Sequence, residues 1–225
     1  MNSSVASNIE SLLSQLPASV KLVAVSKTNP PERILEAYQA DQRIFGENRV
    51  QEILNKKDKL PGDIEWHMIG HLQTNKVKQV IPFVSMIHSV DTHKLLNTIN
   101  SESLKINRVT NCLLQIHIAE EETKTGFSPE EIHQLLDSHD YRSYKNIRLC
   151  GLMGMATFTD DRVQIRKEFR SLAGLFRELK SRYFSNDHYF SEISMGMSGD
   201  YPIAIEEGST MVRIGSLIFG ERKKA

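Results

Sequence analysis

Short apolar runs alternate along this chain with amphipathic stretches at helical spacing. Residues 3–16 set Ile9, Leu12, Leu13 and Leu16 on one helical face, with serine and asparagine ahead of them as caps. Pro17 ends that pattern, and a strand-like run follows at 22–26. Asn29-Pro30-Pro31-Glu32 then breaks the chain and launches a helix reaching Ala40, with proline in its first turn. The alternation repeats. Strand-like runs fall at 44–45, 66–69, 86–90, 112–118, 147–152, 189–193 and 211–214. Helical patterns separate them at 49–59, 75–81, 93–106, 129–137, 160–182 and 202–207. The pattern predicts eight strands separated by seven helices, with an extra helix ahead of the first strand.

Regular β–α alternation calls for a parallel sheet, and eight such units favour a closed (β/α)₈ TIM-type barrel. The whole chain, residues 1–225, reads as one α/β domain. An open doubly wound sheet would place a glycine-rich phosphate turn after its first strand. Here that position holds Ser26-Lys27-Thr28-Asn29, without glycine.

Charge narrows the partners. Lys plus Arg and Asp plus Glu stand at 28 each, so no net field draws the chain to nucleic acid or an anionic membrane. The charged run 56–59 is mixed in sign and reads as a solvated helix end. No stretch approaches the roughly 18 apolar residues of a spanning helix. Cys112 and Cys150 both lie inside apolar runs, as small hydrophobes do. With no charged-then-apolar leader, the expectation is a cytoplasmic protein in a reducing compartment.

In a parallel barrel the chemistry gathers where strands end and βα loops begin. Those positions hold Lys27, residues 46–48, Gly70-His71, Ser89 and Asp91, residues 120–124, 153–155, 194–198 and 213–216. Lys27 leaves an apolar strand at the barrel mouth, where an amine is suited to carbonyl chemistry. A surface lysine that has merely cleared the strand reads the same way. The turns at 194–200 and 213–216 offer backbone N–H groups and serine hydroxyls to an anion, at the barrel positions where phosphate often sits. Glycine and serine are also ordinary turn residues. His67 and His71 read as structural donors, and the other histidines lie on separate elements without zinc-like spacing, so no metal is expected. Met153 and Met155 either line a cofactor or fill gaps in the core.

Several stretches together carry a more specific likeness: VAVSKT at 23–28, FGEN at 45–48, GHLQTNK at 70–76, and SMGMSGDYPIAIEEGSTMVRIGSLIFG at 194–220. They resemble the YggS/PROSC family of pyridoxal 5′-phosphate (PLP) homeostasis proteins, and the likeness runs over residues 22–222. It implies the barrel of alanine racemase, the fold type III arrangement. Lys27 would hold PLP as a Schiff base, Ser198 with Gly215 and Ser216 would take the phosphate, and Arg213 would face the pyridine nitrogen. Asn48 and the 153–155 segment, Met155 included, would lie near the ring.

An always-charged guanidinium can donate to that nitrogen but cannot leave it protonated, which makes the ring a poorer electron sink. The same arginine occurs in racemases. The separation rests on length, since a chain stopping at Ala225 has no room for the racemases' C-terminal β domain, which helps supply the second acid–base group. The resemblance therefore implies a vitamin B6 carrier acting in amino-acid and keto-acid balance, with no residue in a catalytic role. A weak PLP-dependent racemase is the alternative. The carrier is expected to be a monomer, with apo PLP-enzymes or a regulatory protein as candidate protein partners.

Overall fold

Each apolar run needs two covered faces, and in the computed structural model the runs supply one face to a common interior and the other to a ring of helices. The structure describes residues 4–120 and 125–220. The strands are β1 (Lys21–Val25), β2 (Ile44–Glu47), β3 (Glu65–Met68), β4 (Met86–Val90), β5 (Thr110–Gln115), β6 (Ile147–Met153), β7 (Glu192–Ser194) and β8 (Met211–Ile214). They pair in parallel, each with the next, and β8 returns to β1 with Lys21 opposite Met211 and Ala24 opposite Ile214. The expected (β/α)₈ barrel is the observed fold.

The helices are α1 (Val5–Gln15), α2 (Pro31–Gln39), α3 (Val50–Lys57), α4 (Val77–Val80), α5 (His93–Lys105), α6 (Pro129–Asp137), α7 (His139–Ser143), α8 (Arg162–Tyr183), α9 (Tyr201–Glu206) and α10 (Ser216–Phe219). Local chemistry sets their starts. Ser128 and Glu131 form a reciprocal capping box over Pro129 at the head of α6, and the Asp161 carboxylate accepts from Val163 and Gln164 at the head of α8. The extra helix α1 buries Val5, Ile9 and Leu12 and is tied to α10 by Asn8, whose side-chain amide donates to the Ile218 carbonyl at 2.9 Å. Among the described residues, no helix is long and apolar enough to cross a membrane.

The apolar residues form two layers. The larger lies between strands and helices, and the smaller fills the barrel interior with Val23, Met86, Leu113, Cys150, Met153 and Met211. Cys112 belongs to the outer layer and Cys150 to the inner, so the two free thiols sit on opposite faces of the sheet. Burial pushes the Cys150 thiol up to about 11 and Cys112 higher still, which makes both inert hydrophobes. Gly151, at φ 149°, lets β6 approach β7: a Cβ there would stand 1.8 Å from the Glu192 carbonyl oxygen.

Several boundaries differ from the sequence pattern. The seventh strand lies at Glu192–Ser194 instead of 189–193. The Tyr189-Phe190 pair that suggested an earlier strand belongs to the approach turn, where the Phe190 N–H donates to the Asp187 carbonyl and its ring stacks on Phe184 at 4.0 Å. The fifth ladder ends at Gln115, with Ile116 making an isolated bridge to Phe127. The helical pattern at 75–81 is a 3₁₀ turn (Thr74–Lys76) followed by the single turn of α4. At four and five residues, α10 and α7 are too short to show a period. The expected start of α1 at Ser3 lies outside the described residues.

Candidate functional site

The C-terminal ends of β1, β2, β6, β7 and β8 surround a cavity of about 1080 Å³. Lys27, Asn48, Met155, Ser198, Arg213, Gly215 and Ser216 all line it. Seven positions spread over most of the chain are thus brought to one place. Lys27, half-buried, follows the buried Ser26 at the end of β1. Asn48 follows β2, and Gly70 permits the loop after β3 to close against it, because a Cβ there would lie 2.4 Å from the Asn48 carbonyl oxygen. Met155 stands just beyond β6 and is 41% exposed, while Met153 is buried in the barrel interior. The 121–124 part of the loop proposed at 120–124 lies outside the described residues.

Two small-residue turns, after β7 and β8, form the wall next to Lys27. In the first, after β7, the Asp200 carboxylate accepts the Met197 N–H at 2.5 Å and Tyr201 N–H donates to the Met197 carbonyl at 2.9 Å. In the second, Gly215 opens α10, whose first N–H groups have no partner within the helix. The Gly215 N–H donates to Ser198 Oγ at 3.4 Å and joins the two turns. The result is a cradle of amides and hydroxyls suited to an anion. A side chain at Gly215 would press on β1, since its Cβ would come 3.2 Å from the Val25 carbonyl oxygen.

Arg213 is buried on β8 and anchored at three points. Nη1 donates to the Ser194 carbonyl at 2.8 Å and to Ser194 Oγ at 2.7 Å, and Nη2 donates to the Gly154 carbonyl at 3.0 Å. Burial pulls its pKa down to about 10 and the Asp200 carboxylate works against that, so the guanidinium is cationic at neutral pH. The Ser194 hydroxyl oxygen accepts from Arg213 and also lies 3.0 Å from His88 Nδ1, within hydrogen-bond distance. His88 Nε2 in turn shares a hydrogen bond with His67 Nδ1 at 2.9 Å. Burial, with the Lys21 charge second, lowers His67 to about 3, and burial keeps His88 well below its ordinary value. Both imidazoles are neutral, and a hydrogen-bonded file of side chains runs from the guanidinium into the barrel.

The individual reading of His67 as a hydrogen-bonded side chain holds. Its pairing with His88 was not visible in the spacing, since the two are 21 residues apart and meet only because β3 and β4 are neighbours. His71 has a partner too, Asp91, whose Oδ2 lies 2.8 Å from His71 Nδ1. Among the described residues, no group of three or more His, Cys, Asp or Glu could hold a metal ion.

One expectation is overturned. Lys56 is not part of a solvated helix end but buried, with Nζ donating to Glu47 Oε1 at 2.7 Å, Glu52 Oε2 at 3.0 Å and the Ser26 carbonyl at 3.1 Å. The physical reason is that the last turn of α3 packs back onto β2, where the carboxylate of Glu47 is fully buried and requires a cation.

Comparison with known proteins follows the same lines. The alanine racemase, N-terminal domain, family matches residues 2–223. A pyridoxal phosphate homeostasis protein of Aquifex aeolicus is 43% identical over 204 residues, covering 90% of this chain and 87% of that one. The chain belongs to the pyridoxal phosphate homeostasis protein family. Among solved members of this family, PipY of Synechococcus elongatus PCC7942, with PLP bound, superposes with a TM-score of 0.87. It is 34% identical, over 96% of this chain and 100% of PipY. Alanine racemase from E. faecalis, at 17% identity and a TM-score of 0.73, shares the barrel over 97% of this chain and 58% of its own. At that identity the likeness is one of fold.

Proposed function

We propose that this protein binds PLP in the β1–β8 cavity as a Schiff base on Lys27, and keeps the cofactor in reserve without turning over amino acids. The observation that carries the reading is the meeting, in one cavity, of a lysine amine, an anchored guanidinium and a two-turn anion cradle. The printed names of the relatives support it. These residues fit the group: an amine for the aldehyde, N–H and hydroxyl donors for the phosphate, and a cation for the ring nitrogen. With the cofactor bound, the Lys27 amine would supply the nitrogen of the C=N bond to the aldehyde carbon, the aldehyde oxygen being released as water. Arg213 spends three of its five N–H groups on the barrel wall, and two remain for a ligand. When bound, PLP supplies an electron sink, which an unprotonated pyridine nitrogen weakens.

The rim supports storage over turnover. Phe158 is 98% exposed and Met155 41%, so water has access to the mouth, which is poor for protecting a carbanion. The same apolar rim gives a contact to an apo-enzyme or regulatory protein. Two free buried thiols support a cytoplasmic setting, and the carrier acts as a monomer. The second reading, a weak PLP-dependent racemase, draws on the shared racemase barrel. Incubating the purified PLP-loaded protein with L-amino acids in D₂O separates the two. No deuterium should enter Cα above a Lys27→Ala control, and clear exchange would make the protein an enzyme.

A further prediction tests the cradle. Ser198→Ala with Ser216→Ala is expected to weaken PLP retention at least tenfold while leaving pyridoxal, which lacks the phosphate, nearly unchanged. Charge-assisted hydrogen bonds are worth about 1.5–3 kcal/mol each, so equilibrium dialysis resolves the loss. Equal weakening of both ligands would reassign these serines to folding.

A further inference from the structure

The residues on either side of Lys27 are held by a single ion cluster, buried at Glu47 and Lys56 and partly exposed at Glu52. Ser26 is engaged twice: its hydroxyl donates to Glu47 Oε1 at 2.7 Å, and its carbonyl accepts from Lys56 Nζ at 3.1 Å. Thr28 is engaged through its backbone, with its N–H donating to Glu52 Oε2 at 2.7 Å. Lys56 closes the circuit by donating to Glu47 at 2.7 Å and to Glu52 at 3.0 Å, so all three of its N–H donors are used. None of Glu47, Glu52 and Lys56 lines the cofactor cavity.

Thr28 needs to be held. Its φ is 64°, the left-handed region where a β-branched residue is opposed by its own side chain. Such a conformation persists only where neighbouring structure imposes it. The Glu52 carboxylate does so at the Thr28 amide, while Asn29 N–H donates to the Ser26 carbonyl at 3.1 Å and Asn29 Nδ2 to the Lys27 carbonyl at 3.2 Å. The cluster is an unfavourable way to gain stability alone. Glu47 is fully buried with Oε2 lacking a hydrogen-bond partner, and well-packed apolar residues commonly match or exceed a buried ion group. Its return is conformational.

We propose that Glu52, Lys56 and Glu47 form a clamp that fixes the direction in which Lys27 leaves β1, and so act as positioning residues for its amine. The proposal rests on Lys27 as the PLP-bonding residue. The clamp acts on the covalent bond to PLP and not on the anion cradle: its residues lie on β2 and α3, whereas the cradle is built by the turns after β7 and β8.

The test uses the full chain and two ligands: PLP, and pyridoxamine 5′-phosphate, which has the ring and phosphate but no aldehyde. Glu52 is partly exposed, so Glu52→Met carries a smaller folding risk than any change at Lys56. Glu52→Met is expected to lower PLP affinity and the rate of Schiff-base formation about tenfold, the loss of one charge-assisted bond. Pyridoxamine 5′-phosphate should bind as in the wild type. Glu52→Gln, which keeps an oxygen acceptor for the Thr28 amide, should recover most of the affinity. Adding Thr28→Gly to Glu52→Met should recover part of it, because glycine takes positive φ without strain. Unchanged PLP binding in Glu52→Met overturns the clamp, and so does an equal loss for both ligands. If borohydride traps no adduct on wild-type Lys27, the parent reading fails and the clamp falls with it. An adduct that forms equally in both proteins removes only the clamp.

Discussion

Lys27→Ala is expected to abolish every borohydride-reducible attachment of PLP and to leave the barrel folded. The packing of β1 is carried by Leu22, Val23, Ala24 and Val25, all buried, while the Lys27 side chain stands half-buried at the cavity edge. Alanine therefore removes a nucleophile and little buried surface, and the ligand-free protein should keep its stability to within about 1 kcal/mol. The anion cradle and Arg213 are untouched, so PLP should still bind, more weakly and reversibly. After reduction and proteolysis, mass mapping should find the pyridoxyl group on the Lys27 peptide of the wild type and nowhere in the variant. An adduct on any other lysine of the wild type would remove Lys27 from its role.

Acid should destabilise the empty barrel before most carboxylates titrate. His67 and His88 are held neutral in the folded state, His67 down to about 3 and His88 well below its ordinary value, both chiefly by burial. The unfolded chain takes up protons on these two side chains as pH drops through about 6.5. The folded chain does not, so stability is full above that value and declines from there toward pH 3. At pH 5 the penalty from His67 is about 2 kcal/mol, and His88 adds to it in the same direction. Urea denaturation at pH 7.5 and pH 5 measures it. A His67→Leu, His88→Leu double variant should lose most of this difference. An equal decline in wild type and variant would place the acid sensitivity elsewhere.

Much of the architecture was legible because a barrel strand is buried on both faces and therefore reads as an unbroken apolar run. The positions at strand ends follow from that reading, which is why Lys27, Asn48, Ser198 and Arg213 could be named as neighbours before any coordinates. Charged and polar residues with distant partners were hidden. Lys56 sits in a run of mixed charges, and only the return of α3 onto β2 shows that it serves Glu47, nine residues earlier. The His67–His88 contact requires the register of β3 against β4. The slip at the seventh strand has a different origin. Phe190 is as apolar as any strand residue, but its ring packs on Phe184 and Phe176.

The seam between β1 and β8 has a consequence for the life of the molecule. Lys21 to Ala24 pair with Met211 to Ile214, so an early stretch of chain waits for a late one. During synthesis the lysine leaves the ribosome long before the turn containing Gly215 and Ser216. A nascent chain, or one cut short ahead of that turn, has the amine but lacks the β8 half of the cradle beside it. The cavity is thus complete only once β8 has closed on β1, and a chain cut short ahead of that strand would hold a scarce, reactive aldehyde poorly.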